Sequence, residues 1–121
     1  MGELIHADLT QEVIGACIEV HRELGAGLLE SAYEECLCCE LSLRDIPYQR
    51  QLSLPVTYKG RSLDCGYVVD WIVDQKVLLE LKAVEELHPL FDAQLLTYLR
   101  LANLRVGLIV NFNVPVLKDG I

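Results

Sequence analysis

From Val13 to Leu24 the apolar positions Val13, Ile14, Cys17, Val20, His21 and Leu24 recur every three to four residues, which predicts an amphipathic helix. Asp8 or Thr10 can cap it, with Glu12 in its first turn. Gly25-Ala26-Gly27 stops it. A second helix is expected from Leu28, with Leu29, Ala32, Tyr33, Cys36, Leu37 and Leu41 as its apolar stripe, ending before Asp45-Ile46-Pro47. The two helices should pack as a hairpin. The period then shortens. Residues 48–58 are rich in Leu, Val and Thr and read as a strand, in which Pro55 implies an edge position or a bulge. Lys59-Gly60 makes a turn, residues 63–73 a second strand and Asp74-Gln75 a tight connection. Residues 77–83 form a third strand, apolar on both faces and therefore central. Residues 87–101 are helical, with Pro89 tolerable in the first turn. Residues 106–110 follow as a short buried strand, parallel to the third by a crossover. The order is α-α-β-β-β-α-β, an α/β fold with a mixed central sheet flanked by helices.

Charges interrupt this pattern where burial is expected. Alternation sends Leu79, Leu81 and Ala83 to one face of the third strand and Leu78, Glu80 and Lys82 to the other. On a covered face such charges cost several kcal/mol unless they are paired or bound to a cation. Asp70 interrupts the preceding strand in the same way. A hairpin about Gln75 sets Asp70 opposite Glu80, with the two carboxylates ~5 Å apart, an arrangement that needs positive charge between them. Lys82 can supply it as a structural ion pair. A divalent cation can supply it instead, with Asp70, Glu80 and the backbone carbonyl of Leu81 as hard oxygen ligands suited to Mg²⁺ or Mn²⁺.

The whole chain narrows the choice. Its 121 residues suit one domain, residues 1–121. An apolar content of 52% and a mean hydropathy of +0.30 argue against disorder and for a buried self-association surface, hence a possible homodimer. No apolar run approaches the ~20 residues of a membrane span, and the first six residues lack the basic region and apolar stretch of a signal peptide; a cytoplasmic location is expected. Five cysteines (Cys17, Cys36, Cys38, Cys39 and Cys65) without a secretory signal read as small core residues, ahead of a disulfide framework or a zinc site. The net charge of −8 disfavours nucleic-acid binding by bulk electrostatics, although Arg44, Arg50, Lys59 and Arg61 are close enough in sequence to form a basic patch. His21 reads as a hydrogen-bonded core histidine, His88 as part of its helix start, and Trp71 as core.

The order of Asp70, then Glu80-Leu81-Lys82, between apolar runs resembles the D…(D/E)-x-K core of the PD-(D/E)XK nucleases. Gly27, Glu30 and Tyr33 fit the signature of the GxxExxY protein family within that superfamily, and Gln94 with Tyr98 fits the Q-x-x-x-Y motif of its RecB-like branch. The resemblance spans residues 9–116 and implies a restriction-endonuclease-like core and a Mg²⁺- or Mn²⁺-dependent nuclease. In it Asp70, Glu80 and Leu81 hold the metal, with Glu30 as a further ligand, and Lys82 is catalytic. Gln94, Tyr98 and Tyr33 position substrate. DNA is implied ahead of RNA, though the residues themselves do not separate the two. Two other functions fit the residues: a catalytically silent nuclease-like module for binding or dimerisation, and a hydrolase of small phosphoesters or nucleotides.

Overall fold

The structure is a computed structural model that describes residues 5–121; the reading of the N-terminal segment therefore lies partly outside the described residues. Helices α1 (Ala7–Leu24) and α2 (Glu30–Leu43) precede strands β1 (Tyr48–Tyr58), β2 (Arg61–Val73) and β3 (Val77–Lys82). Helix α3 (Pro89–Ala102), strand β4 (Val106–Asn111) and a 3-10 turn at Leu117–Gly120 complete the chain. The sheet order is β1-β2-β3-β4, with β1, β2 and β3 antiparallel in sequence and β4 parallel to β3. This is a mixed α/β architecture consistent with the restriction-endonuclease-like fold expected above.

Turn chemistry explains the two hairpins. Lys59 and Gly60 both have positive φ, as do Asp74 and Gln75, the sign that two-residue turns need to match the twist of their strands. Pro55 falls at a register shift between Leu54 and Val56 in an edge strand, so both structural meanings of a strand proline apply. Strand β3 has neighbours on both sides, and Val77 to Leu81 are all buried.

Helices α1 and α2 cover one face of the sheet. Val13, Cys17 and Val20 of α1 and Tyr33, Leu37, Cys38 and Leu41 of α2 pack on Trp71, Val73, Leu79, Leu81 and Phe112. Helix α3 lies on the other face, where Leu95, Tyr98 and Leu99 meet Leu54, Val69 and Leu78. No α3 residue is fully buried, so this second layer is thin. The His21 Nε2–H donates to the Val114 carbonyl at 2.8 Å, and His88 caps α3 by accepting from the Leu90 amide at 3.0 Å. Among the described residues no helix is long and apolar enough to cross a membrane.

Several local expectations change. Neither Asp8 nor Thr10 caps α1: the helix already begins at Ala7, with His6 at its N-cap and no side-chain cap bond. Helix α2 starts at Glu30, and its buried face, Tyr33, Leu37, Cys38 and Leu41, differs from the expected stripe. Cys38 is buried while Cys36 and Cys39 are exposed, and Leu29 is 78% exposed. The core role of cysteine therefore holds for Cys17 and Cys38 and not for Cys36, Cys39 or Cys65. The basic patch is also altered. Arg44 pairs with Glu40 and Glu12, and Arg50 with Glu34 and Glu35, because each arginine faces a glutamate-rich helix. The exposed leucines Leu29 and Leu43 sit at the two ends of α2, and Leu96 lies on α3 across the sheet.

Candidate metal-binding active site

The site forms where the β2–β3 ladder opens. Backbone pairing runs from the turn through Val73↔Val77 and Ile72↔Leu78 to Trp71↔Leu79. The next pair in that register is Asp70 with Glu80, and here side chains take over the strand amides. The Asp70 carboxylate accepts from the Leu81 N–H at 2.9 Å, and the Glu80 carboxylate accepts from the Asp70 N–H at 3.3 Å. Strict alternation also breaks at this point. Val69 belongs to the α3-side core and Trp71 to the α1/α2-side core, although they are two residues apart. Gln51 lies between the partners of Trp71 and Val69 on β1 and has φ 50°, so the edge strand bends beside Asp70.

Asp70 meets α2 at this point. Carboxylate oxygens of Glu30, Glu34 and Asp70 all lie within 4.8 Å of one another. Glu30 occupies the first position of α2, where an acid favours the helix dipole, and Glu34 follows one turn later on the same face. Gly27 and Tyr33 present this turn. Gly27 has φ 90°, a conformation that costs glycine little. Tyr33 is fully buried and stacks on Phe112 with ring centroids 4.6 Å apart. Its hydroxyl donates to the Gly25 carbonyl at 2.6 Å and accepts from the Leu28 N–H at 3.1 Å. Substrate positioning by Tyr33, the sequence expectation, gives way to this structural task, since no part of the side chain reaches the surface. Tyr33→Phe should therefore cost about 1–3 kcal/mol through the orphaned backbone groups, read by urea unfolding; an unchanged midpoint would contradict the role.

The electrostatics are those of crowded carboxylates. Glu80 is only 8% exposed. Burial and then the charge of Asp70 push its carboxyl up to about 8, against the opposing pull of the Asp70 amide and Lys82. Glu30 is raised by burial and by Asp70, with Lys82 and the Ala83 amide opposing. Glu34 is raised by burial and by Asp70, with Arg50 opposing. Lys82 thus acts on acids from both sides of the opening, Glu30 and Glu80. Its Nζ lies 4.5 Å from the centroid of the Phe91 ring on α3, a cation–π contact that holds it over the site. Tyr98 borders the same acids: burial first, then the charge of Glu80, raises its hydroxyl above the usual phenol range. Gln94, one turn earlier, is exposed and lines a cleft with Tyr98 and Tyr67.

The donor set suits a hard divalent cation. Carboxylate oxygens are the ligands that Mg²⁺ and Mn²⁺ prefer, and clustered acids raised above their ordinary range are groups that a cation would relieve. The sequence expectation had Asp70, Glu80, Leu81 and Glu30 around the metal. The structure gathers Asp70 and Glu30 with Glu34, sets Glu80 against the Asp70 amide, and uses the Leu81 amide to hold Asp70.

Three participants were missed in the sequence. Glu34 was legible only as the residue one turn beyond Glu30. Arg50, whose Nη2 lies 3.1 Å from Glu34, carried no signal beyond its charge. Asn111 is 2% exposed; it accepts from the Val84 N–H and donates to the Val84 carbonyl, which fixes the chain just after Lys82. Its signal was a polar residue closing an apolar strand.

A family model for the PD-(D/E)XK nuclease superfamily matches residues 7–121. No curated protein and no solved structure matches the chain.

Proposed function

This chain belongs to the PD-(D/E)XK nuclease superfamily, and from that premise we propose that it is a Mg²⁺- or Mn²⁺-dependent nuclease that hydrolyses phosphodiester bonds in DNA. The observation that carries the reading is the convergence of Glu30, Glu34 and Asp70 within 4.8 Å, beside the buried Glu80 and under Lys82. Asp70, Glu30 and Glu34 would hold the cation, with Glu80 supporting from the other side of the opened hairpin. When bound, the cation supplies Lewis-acid polarisation of the scissile phosphate and eases deprotonation of water.

The chain's own groups do the rest. The Leu81 amide fixes the Asp70 carboxylate, so the ligand geometry is built into the strand before any cation arrives. Lys82, steadied by Phe91, places a positive charge where negative charge grows on the phosphoryl oxygens and orients the attacking water. A cation beside Glu80 would favour its ionised form over the protonated one, which couples metal affinity to pH. Gln94 and Tyr98 contact the strand to be cut. Gly27, Glu30 and Tyr33, together with Gln94 and Tyr98, support placement with the GxxExxY family and the RecB-like branch.

The test is cleavage of single-stranded and duplex oligodeoxynucleotides with Mg²⁺, with Mn²⁺ and with chelator, run beside melting curves under the same conditions. Metal-dependent cleavage with metal-dependent stabilisation is expected. Activity on mononucleotides alone would select the small-phosphoester hydrolase. Neither cleavage nor stabilisation would leave a binding module.

A further inference from the structure

A cleft of about 220 Å³ opens between β2 and α3, lined by Tyr67 from the strand and by Leu90, Gln94, Thr97 and Tyr98 from the helix. It is smaller than the pockets that enclose whole small-molecule ligands and suits one planar ring. Tyr67 is 41% exposed and meets Tyr98 edge-to-face, with ring centroids 6.0 Å apart and an interplanar angle of 61°. Such a pair holds its rings in fixed orientation, so that a flat guest finds a preformed aromatic wall. The cleft adjoins the acids through Tyr98.

Charge makes an aromatic wall informative here. The chain carries −8, and Arg44 and Arg50 are each engaged by two glutamates. Affinity for nucleic acid usually comes from Lys and Arg on phosphates. Stacking of bases on aromatic rings is the other general source, and it tolerates any base because every base has a π-face. It reaches only bases that are not already stacked in a duplex. Gln94 contributes an amide that both donates and accepts, and so can meet the edge of any base.

Resting on the nuclease reading above, we propose that this cleft is a base-stacking subsite in which Tyr67 holds one unpaired base of single-stranded DNA beside the acidic centre. The substrate class is then single strands, or duplex ends that have opened. Tyr67 is a binding residue that selects them.

Fluorescence anisotropy tests this with the full chain, a short labelled single-stranded oligodeoxynucleotide and its duplex. Ca²⁺ would serve as the hard oxygen-bound cation. The single strand should bind about tenfold tighter than the duplex. Tyr67→Ala should weaken single-strand binding by about 5- to 150-fold, the range of one lost stacking contact, while Tyr67→Phe keeps it. Under turnover the Tyr67→Ala loss should appear in KM rather than kcat. Mn²⁺ should raise the melting temperature of Tyr67→Ala as it does for the wild type, which separates a lost subsite from a lost fold. Equal affinity for duplex and single strand, unchanged binding by Tyr67→Ala, or Tyr67→Phe as weak as Tyr67→Ala would overturn the proposal. Failure of the wild type to bind Mn²⁺ or cleave DNA would instead fell the nuclease reading.

Discussion

Asp70→Asn should lower the rate of DNA cleavage by about 10³-fold while leaving the fold in place. Asparagine keeps the shape of aspartate, and its amide oxygen can still accept from the Leu81 N–H that Asp70 binds at 2.9 Å. What is lost is the charge at the centre of the acidic cluster. The stabilisation by Mn²⁺ should disappear in the same variant. Single-turnover cleavage and melting curves with and without Mn²⁺ measure both effects. Activity within tenfold of the wild type would remove Asp70 from the metal site. Asp70→Ala makes a useful contrast, because it also orphans the Leu81 amide and should cost about 1–3 kcal/mol of stability.

The second large effect is a dependence of stability on pH that metal flattens. Glu80 has its carboxyl raised from 4.5 to about 8 in the folded chain. Between those values the folded state binds a proton that the unfolded chain has released, so stability falls as pH rises. The contribution is fully present below pH 4.5 and is gone above about pH 8. Glu30 and Glu34, also raised, act in the same direction. Metal-free protein should lose a few kcal/mol across this window, roughly 10 °C in Tm. Saturating Mn²⁺ should flatten the slope, since the cation binds the ionised carboxylates and favours them over the protonated forms. Glu80→Gln should flatten it without metal, because glutamine keeps an acceptor for the Asp70 amide and cannot ionise. Parallel pH profiles for all three samples would refute this account.

Most of the fold was legible because strand periodicity and turn residues act locally. Lys59-Gly60 and Asp74-Gln75 announce hairpins by composition, and the structure puts both pairs at positive φ. Those turns fix register, and register sets Asp70 level with Glu80. Helix α2 was harder to orient. It carries Tyr, Leu and Cys on several sides, so its buried face depends on what packs against it, and Cys38 rather than Cys36 turns inward. Glu34 could be read only as the residue one turn beyond Glu30, and its approach to Asp70 depends on how α2 packs on the sheet. The role of Tyr33 was hidden for a related reason. Its motif is readable, but the partners of its hydroxyl are backbone groups of Gly25 and Leu28, which carry no sequence identity. Arg44 and Arg50 find glutamates 32 and 16 residues away, pairings that no local pattern encodes.

Both acids at the opened hairpin also close its backbone hydrogen bonds. A descendant relieved of catalysis would then not be free to drift at these two positions. Substitutions that keep an oxygen in place, such as Asn at 70 or Gln at 80, leave the strands joined, whereas aliphatic ones unpick them. Loss of activity in this lineage should accordingly leave a fossil: an amide where an acid once stood, on an otherwise intact scaffold.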